Sequence, residues 1–223
     1  MADFTQYFAL AFSALLPLIN PLGSALVFLG LVGIAPTDIY RSLAKRIAIA
    51  TVIFLIVIEV AGALLLKFFG ISLPIVQISG GLALAAMGWN LLNQGQGPDK
   101  TADTAVDSGL ELKSLEQKVF YPFTFPITAG PGCIVVVITL SAHASAQHGL
   151  QRTFTHAGIA AAVVLLSLGV YFCYAHAPQI TTHISPQTVH GILRLIAFVL
   201  LCIGVQILTN GLQTIVKATF SLS

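Results

Sequence analysis

The sequence predicts an all-α membrane protein: six transmembrane segments in two inverted three-helix repeats, with the first and fourth helices broken. Three observations carry that expectation. Charged residues make up 8% of the 223-residue chain and hydrophobic ones 57%, with mean hydropathy +0.93, whereas soluble domains carry about 25% charged residues. Six apolar runs, at 4–31, 47–66, 72–92, 120–142, 154–175 and 189–212, reach the length of about 20 residues that crosses a bilayer. The first and fourth runs are each interrupted by proline and glycine. Irregular backbone at membrane depth persists only where protein buries it or where it lines a cavity.

The first run opens with Met1-Ala2-Asp3-Phe4. It lacks the basic n-region of a signal peptide, so it reads as a retained span. Its interruption is Leu18-Ile19-Asn20-Pro21-Leu22-Gly23. Pro21 has no N–H for the carbonyl of Pro17 and its ring clashes with that carbonyl. Asn20, preceding a proline, is pushed out of helical geometry, and Asn-Pro is also the N-cap and first residue of a new helix. Two half-helices with a polar break are expected. After Pro36-Thr37-Asp38, Thr37 is expected to cap a short helix carrying Arg41, Lys45 and Arg46. Run two contains Glu59, and the segment from Lys67 to Ser72 is a tight link to run three.

Residues 93–119 hold the one extended polar segment. It begins Gly95-Gln96-Gly97-Pro98-Asp99 and ends Leu110-Glu111-Leu112-Lys113-Ser114-Leu115-Glu116, an expected interfacial helix. The division is therefore 1–92, a first three-helix repeat; 93–119, a cytoplasmic connector; and 120–223, a second repeat. Run four carries the second interruption, Pro126-Ile127-Thr128-Ala129-Gly130-Pro131-Gly132. The end of run three, Gly88 to Gly95, resembles the end of run six, Gly204 to Gly211, with glycines seven apart around an amide residue and a shared leucine. Three spans per copy is an odd number, so the second copy enters the membrane from the opposite side. Paired interrupted segments in such halves point to a transport site. Lys and Arg in the loops divide six (Arg41, Lys45, Arg46, Lys100, Lys113, Lys118) against three (Lys67, Arg152, Lys217), which places both termini on the periplasmic side.

The candidate substrate-binding residues are Asn20, Pro21 and Gly23 from the first break, and Thr128, Gly130, Pro131 and Gly132 from the second. A half-helix beginning at Pro21 or Pro131 offers unpaired N–H groups and a positive dipole end that attract a carboxylate. The unwound residues before each break offer carbonyls to an ammonium group. Together they suit a zwitterion; the competing reading is a pair of kinks that only shape the bundle. Gly80 and Gly81 stand beside them in run three, either as part of the site or as a close helix contact, with Gln77 one turn earlier. Glu59 is the one acid deep in an apolar run, and such residues default to functional hypotheses. It is a candidate proton carrier or, alternatively, a neutral hydrogen-bonding residue between helices. Arg194 either snorkels to the cytoplasmic interface or pairs with Glu59 or a substrate carboxylate.

Other chemistries find no support. Cys133, Cys173 and Cys202 lie singly, without a C-x-x-C. His143, His148, His156, His176, His183 and His190 lack the spacing of a helical metal pair, so neither a metal nor a cofactor is expected. A hydrolase needs an activated nucleophile and base, and no phosphate-cradling motif is present; the chain does not read as an enzyme. No basic cluster suggests nucleic acid.

Asn20-Pro21-Leu22-Gly23, Phe68-Phe69-Gly70-Ile71-Ser72 with Ser79-Gly80-Gly81, and the stretch from Pro126 to Gly132 resemble, in the same order, the motifs of the MarC/SnatA family of bacterial inner-membrane proteins, also called the neutral amino-acid transporter family. Where the family more usually reads Pro-Leu-Ala-x-Pro ahead of Gly-Pro-Gly, this chain has Tyr121-Pro122-Phe123-Thr124-Phe125-Pro126. The resemblance implies six spans in the bacterial inner membrane. It also implies secondary transport of small neutral amino acids such as glycine, alanine or serine, coupled to protons. A non-transporting scaffold or stress-associated protein, and a small-solute channel, are the alternatives; self-association into a homo-oligomer is left open.

Overall fold

The computed structural model describes residues 2–33, 35–93, 112–145, 147–179 and 186–220. Its elements are α1 (Ala2–Ile19), α2 (Pro21–Val32), α3 (Thr37–Phe68), α4 (Leu73–Asn93), α5 (Leu112–Gln117), a wide helical segment (Val119–Thr128), α6 (Pro131–Ser145), α7 (Gly149–Ala175) and α8 (Pro186–Phe220). No strand occurs among the described residues. Asp3–Val32, Gly149–Ala175 and Ala197–Phe220 are long and apolar enough to cross a membrane. The wide segment and α6, bent by 71° at their junction, make a fourth such stretch if taken together. At about 1.5 Å per residue, the 32 residues of α3 and 21 of α4 also reach the depth of a bilayer.

The body of the molecule is built around α7. α1 runs alongside it in the same direction: Asp3 accepts a bond from Gln151 (3.0 Å), and Gly158 lets the backbone at Phe4 approach so closely that a Cβ there would lie 2.6 Å from the Phe4 carbonyl oxygen. α3 runs the opposite way along α7, with Glu59 beside His156 at one end and Lys45 near Tyr171 at the other. Phe28, Tyr40, Phe123 and Tyr174 are its largest buried aromatic side chains. Short turns fold the rest back on this body. At the α3–α4 link, Gly70 takes φ +66°, a left-handed backbone that glycine adopts without penalty, and the N–H of Ile71 returns to the Leu66 carbonyl at 2.9 Å.

α4 and α8 pack antiparallel on one another through glycine notches. A Cβ on Gly81 would lie 2.6 Å from the Gly204 carbonyl, one on Gly88 2.8 Å from that of Ala197, and one on Gly211 2.8 Å from that of Pro74. The pair leans on the body chiefly through α4. Only 11% of the apolar window of α8 is buried.

Two expectations change. Thr37 does not cap: Pro36 is the N-cap residue, without a side-chain bond, and its carbonyl receives the N–H of Ile39 at 3.0 Å. Nor is there a separate short helix, because no glycine or proline interrupts the chain between Thr37 and Gly62, and α3 continues unbroken to Phe68. Within the polar connector, residues 94–111, including the Gly95–Asp99 stretch and Lys100, lie outside the described residues. Its last part is α5, tied to α3 by the Arg46–Glu116 ion pair at 2.9 Å.

Gly204→Leu is expected to lower the thermal midpoint in detergent, since overpacking such a contact costs about 1–3 kcal/mol. Gly30→Ala, where a Cβ meets nothing within 4 Å, should not lower it. Equal midpoints for Gly204→Leu and wild type would show that the notch is not tight.

Candidate functional site

The first break is a single residue in the left-handed region. Asn20 has φ 44°, ψ 67°, a conformation that asparagine tolerates far better than branched residues do. Its Oδ1 accepts the N–H of Gly23 at 3.1 Å, and its carbonyl accepts both the N–H of Ser24 (2.9 Å) and the Ser24 hydroxyl (2.8 Å). Gly23 must lack a side chain, since the Asn20 amide fills the space where a Cβ would go. The unpaired N–H groups expected at the start of this half-helix are therefore occupied in part: those of Gly23 and Ser24 are capped by Asn20 itself.

The second break is more extensive than the sequence reading. Its irregular backbone begins at Val119 rather than Pro126. Two tetrapeptides, Tyr121-Pro122-Phe123-Thr124 and Phe125-Pro126-Ile127-Thr128, repeat one geometry: Tyr121 and Phe125 are extended, and each following proline has a cis peptide bond. Proline cannot donate a backbone bond. In each unit the threonine hydroxyl donates to a carbonyl five residues back, Thr124 to Val119 at 2.8 Å and Thr128 to Phe123 at 2.7 Å. α6 then starts at Pro131, with the Gly130 carbonyl accepting the N–H of Cys133 at 3.0 Å.

Tyr174 of α7 brings the breaks together. Its hydroxyl lies 2.8 Å from the Thr128 hydroxyl, and Ser24 is its other hydroxyl neighbour. Hydroxyls thus gather between the breaks: Ser24 on the Asn20 carbonyl, and Tyr174 on Thr128, which reaches the Phe123 carbonyl. Tyr174 and Thr128 are fully buried. Phe28 holds the tyrosine in place, stacked on its ring at 4.5 Å and meeting Phe123 and Tyr40 edge-on at 5.3 and 5.8 Å. Tyr40 in turn donates to the Gly33 carbonyl at the end of α2.

The remaining candidates fall around this seam. Gly132 receives Leu84 of α4 and Leu18 of α1, and Gly80 receives Val135 of α6, so α1, α4 and α6 meet in one layer. Gly81 faces the other way, filled by the backbone of α8. Its contribution is to hold α8 on α4. Beside Asn20 and Pro21 lies a cavity of about 380 Å³ walled by Ser13 and Pro17 on one side and by Leu195 and Val199 of α8 on the other.

A second polar cluster lies toward the end of the bundle that holds the amino terminus. Glu59, 3% exposed, pairs with His156 Nδ1 at 3.1 Å, and the Ser141 hydroxyl donates to the Glu59 backbone carbonyl at 2.6 Å. Together with Arg152 these line a cavity of about 510 Å³. The partner of Glu59 is thus His156, not Arg194, which is exposed on α8; α7, not α8, packs beside the Glu59 turn. Among the described residues no three His, Cys, Asp or Glu side chains converge on a metal site; His183 lies outside them. Ser24, Phe28, Tyr40, Phe123, Thr124, His156 and Tyr174 were not singled out from sequence. The twice-repeated aromatic-Pro-x-Thr unit was the one available signal.

A family model described as MarC family integral membrane protein matches residues 5–216. The UPF0056 inner membrane protein MarC of Salmonella typhimurium is 30% identical over 224 residues, covering 97% of this chain and 99% of its own. That of Citrobacter koseri is 29% identical with the same coverage. A UPF0056 membrane protein of Methanocaldococcus jannaschii is 29% identical over 209 residues, 93% of this chain and 97% of its own. No solved structure matches.

Tyr174→Phe should cost about 1–2 kcal/mol, the worth of a buried hydroxyl and its partners, read as a lower thermal midpoint. An unchanged midpoint would show that the ring alone joins the two breaks.

Proposed function

The chain belongs to the MarC family of integral membrane proteins, and from that premise we propose that it is a secondary transporter of small neutral amino acids such as glycine, alanine or serine. The observation that carries the proposal is the pair of backbone breaks joined by the buried hydroxyls of Ser24, Tyr174 and Thr128. Discontinuous helices facing each other at depth supply donors and acceptors that an unbroken helix has already used. The substrate sits between the breaks, at Asn20, Pro21, Gly23, Thr128, Gly130, Pro131 and Gly132, with Gly80 of α4 beside it against α6 and Gly81 turned away to hold α8. Asn20 Oδ1 stands in for a carboxylate oxygen: it occupies the Gly23 N–H, and a bound carboxylate takes that donor as the amide turns and donates its own Nδ2 hydrogen to it.

Six spans in two inverted repeats belong to the same reading. If Gly88 corresponds to Gly204, as the matched ends of runs three and six suggest, then Gly81 corresponds to Ala197. The Gly81–Gly204 contact then maps onto the Ala197–Gly88 contact, and both occur. A two-fold axis in the membrane plane would relate them in this way. The lightly attached α4–α8 pair is the element that rocks against the α7-centred body to alternate access. The protein lies in the inner membrane with both termini periplasmic. Glu59 and His156, in contact with each other and with a cavity, hold the coupling proton.

Uptake of labelled alanine and glycine into proteoliposomes tests this. Saturable accumulation that collapses with a protonophore is expected. No uptake across a panel of small amino acids would overturn the proposal, and non-saturating uptake without accumulation would make the protein a channel. Asn20→Gly keeps the left-handed backbone but removes the amide, so it should fold and lose at least about tenfold in uptake, the scale of one lost charge-assisted bond. Glu59→Gln and His156→Gln should each abolish the response to an imposed pH gradient; a retained response would remove the pair from coupling.

A further inference from the structure

The exposed face of α8 is divided. Phe198, Val205, Leu212 and Val216 form an apolar flank suited to lipid. Val199, Gln206 and Gln213, seven residues apart and hence on one face, form another, with Asn210 beside them; all are exposed. Gln206 Nε2 donates to Asn210 Oδ1 at 2.9 Å, which leaves further amide N–H and carbonyl groups on both residues. Placing such groups in hydrocarbon without partners costs several kcal/mol each, so this face does not meet lipid tails.

A matching row stands opposite. Gln6 and Ser13 of α1 and Asn20 of the break are also seven apart, with Gln6 and Ser13 exposed. Ser13 and Asn20 share the 380 Å³ cavity with Val199, so the two rows face each other where they meet at the break. They also lead away from it in the same direction. α3 ends, by Glu59 and His156, at the end of the bundle where α1 begins. The short turn at 69–72 sends α4 back from that end, and α8, antiparallel to α4, returns to it. From the break outward, α1 presents Ser13 then Gln6, while α8 presents Gln206 then Gln213.

We propose that this amide-lined cleft between α1 and α8 is the wetted route by which a small, uncharged-overall polar solute reaches the Asn20 break from the amino-terminal side. The inference rests on the transporter reading for its solute, but water in the cleft is measurable without transport. Side-chain amides and hydroxyls bind both ends of a zwitterion weakly and in either order, which suits passage rather than retention. The exposed Cys202 stands between the two flanks, one turn from Gln206 and one turn from Phe198, and is replaced by serine in the test.

The test is labelling of the full-length protein in membrane vesicles by a charged, impermeant maleimide, added from each side in turn and read by peptide mass. From the amino-terminal side, Gln206→Cys and Ser13→Cys should react at least about tenfold faster than Val205→Cys and Leu212→Cys, because a thiol must be hydrated to ionise and attack. Excess alanine should slow the reaction at Ser13→Cys. Equal rates on the two faces of α8 would overturn the route. So would oxidative crosslinking of Gln206→Cys between two copies, which would make this face an interface. A hydrated cleft without uptake of any amino acid would remove the solute and the transporter reading together; uptake with a dry cleft would remove only the route.

Discussion

The hydrocarbon of a bilayer offers no hydrogen bonds, and that constraint governs what this chain can do at its two interruptions. A helix that breaks in such a medium must find a partner for every donor and acceptor it frees. Here each break solves the problem locally. Asn20 folds its amide over the turn it has just opened, and two threonines lend their hydroxyls to the Val119 and Phe123 carbonyls. Tyr174 then joins the two local solutions. The aromatic cluster around Phe28 keeps water out of the seam and fixes the tyrosine ring against it.

The rest of the architecture divides by how firmly it is tied to that seam. α1, α2, α3, the wide segment, α6 and α7 share one buried interior. α4 and α8 share mainly each other, through backbone contacts that glycine alone permits. Tight internal packing with light attachment outside is the mechanical description of a rigid arm. Its joints to the body are two small notches, Val135 of α6 against Gly80 and Leu84 of α4 against Gly132.

The first break was legible because the rule is local: proline without an N–H, preceded by asparagine, inside an apolar run. The second was read at its glycines but not at its start. A proline at position 122 looks like an ordinary helix-entry residue until its threonine is seen to repeat at 128. Tyr174 and His156 were illegible for a different reason. Each acts through a residue far along the chain, and only the packing of α7 selects Thr128 for one and Glu59 for the other. Histidine spacing, used to weigh metal sites, says nothing about a carboxylate 97 residues away. The repeated glycines of runs three and six were visible as similarity, yet their meeting face to face required the fold.

Thr128 gives its single proton to the Phe123 carbonyl, so its oxygen meets Tyr174 only as an acceptor. The 2.8 Å contact between the two hydroxyls therefore has one direction, with Tyr174 as the donor. The tie between α7 and the second break hangs on that one phenolic hydrogen, and a group that drew it away would loosen the break from α7.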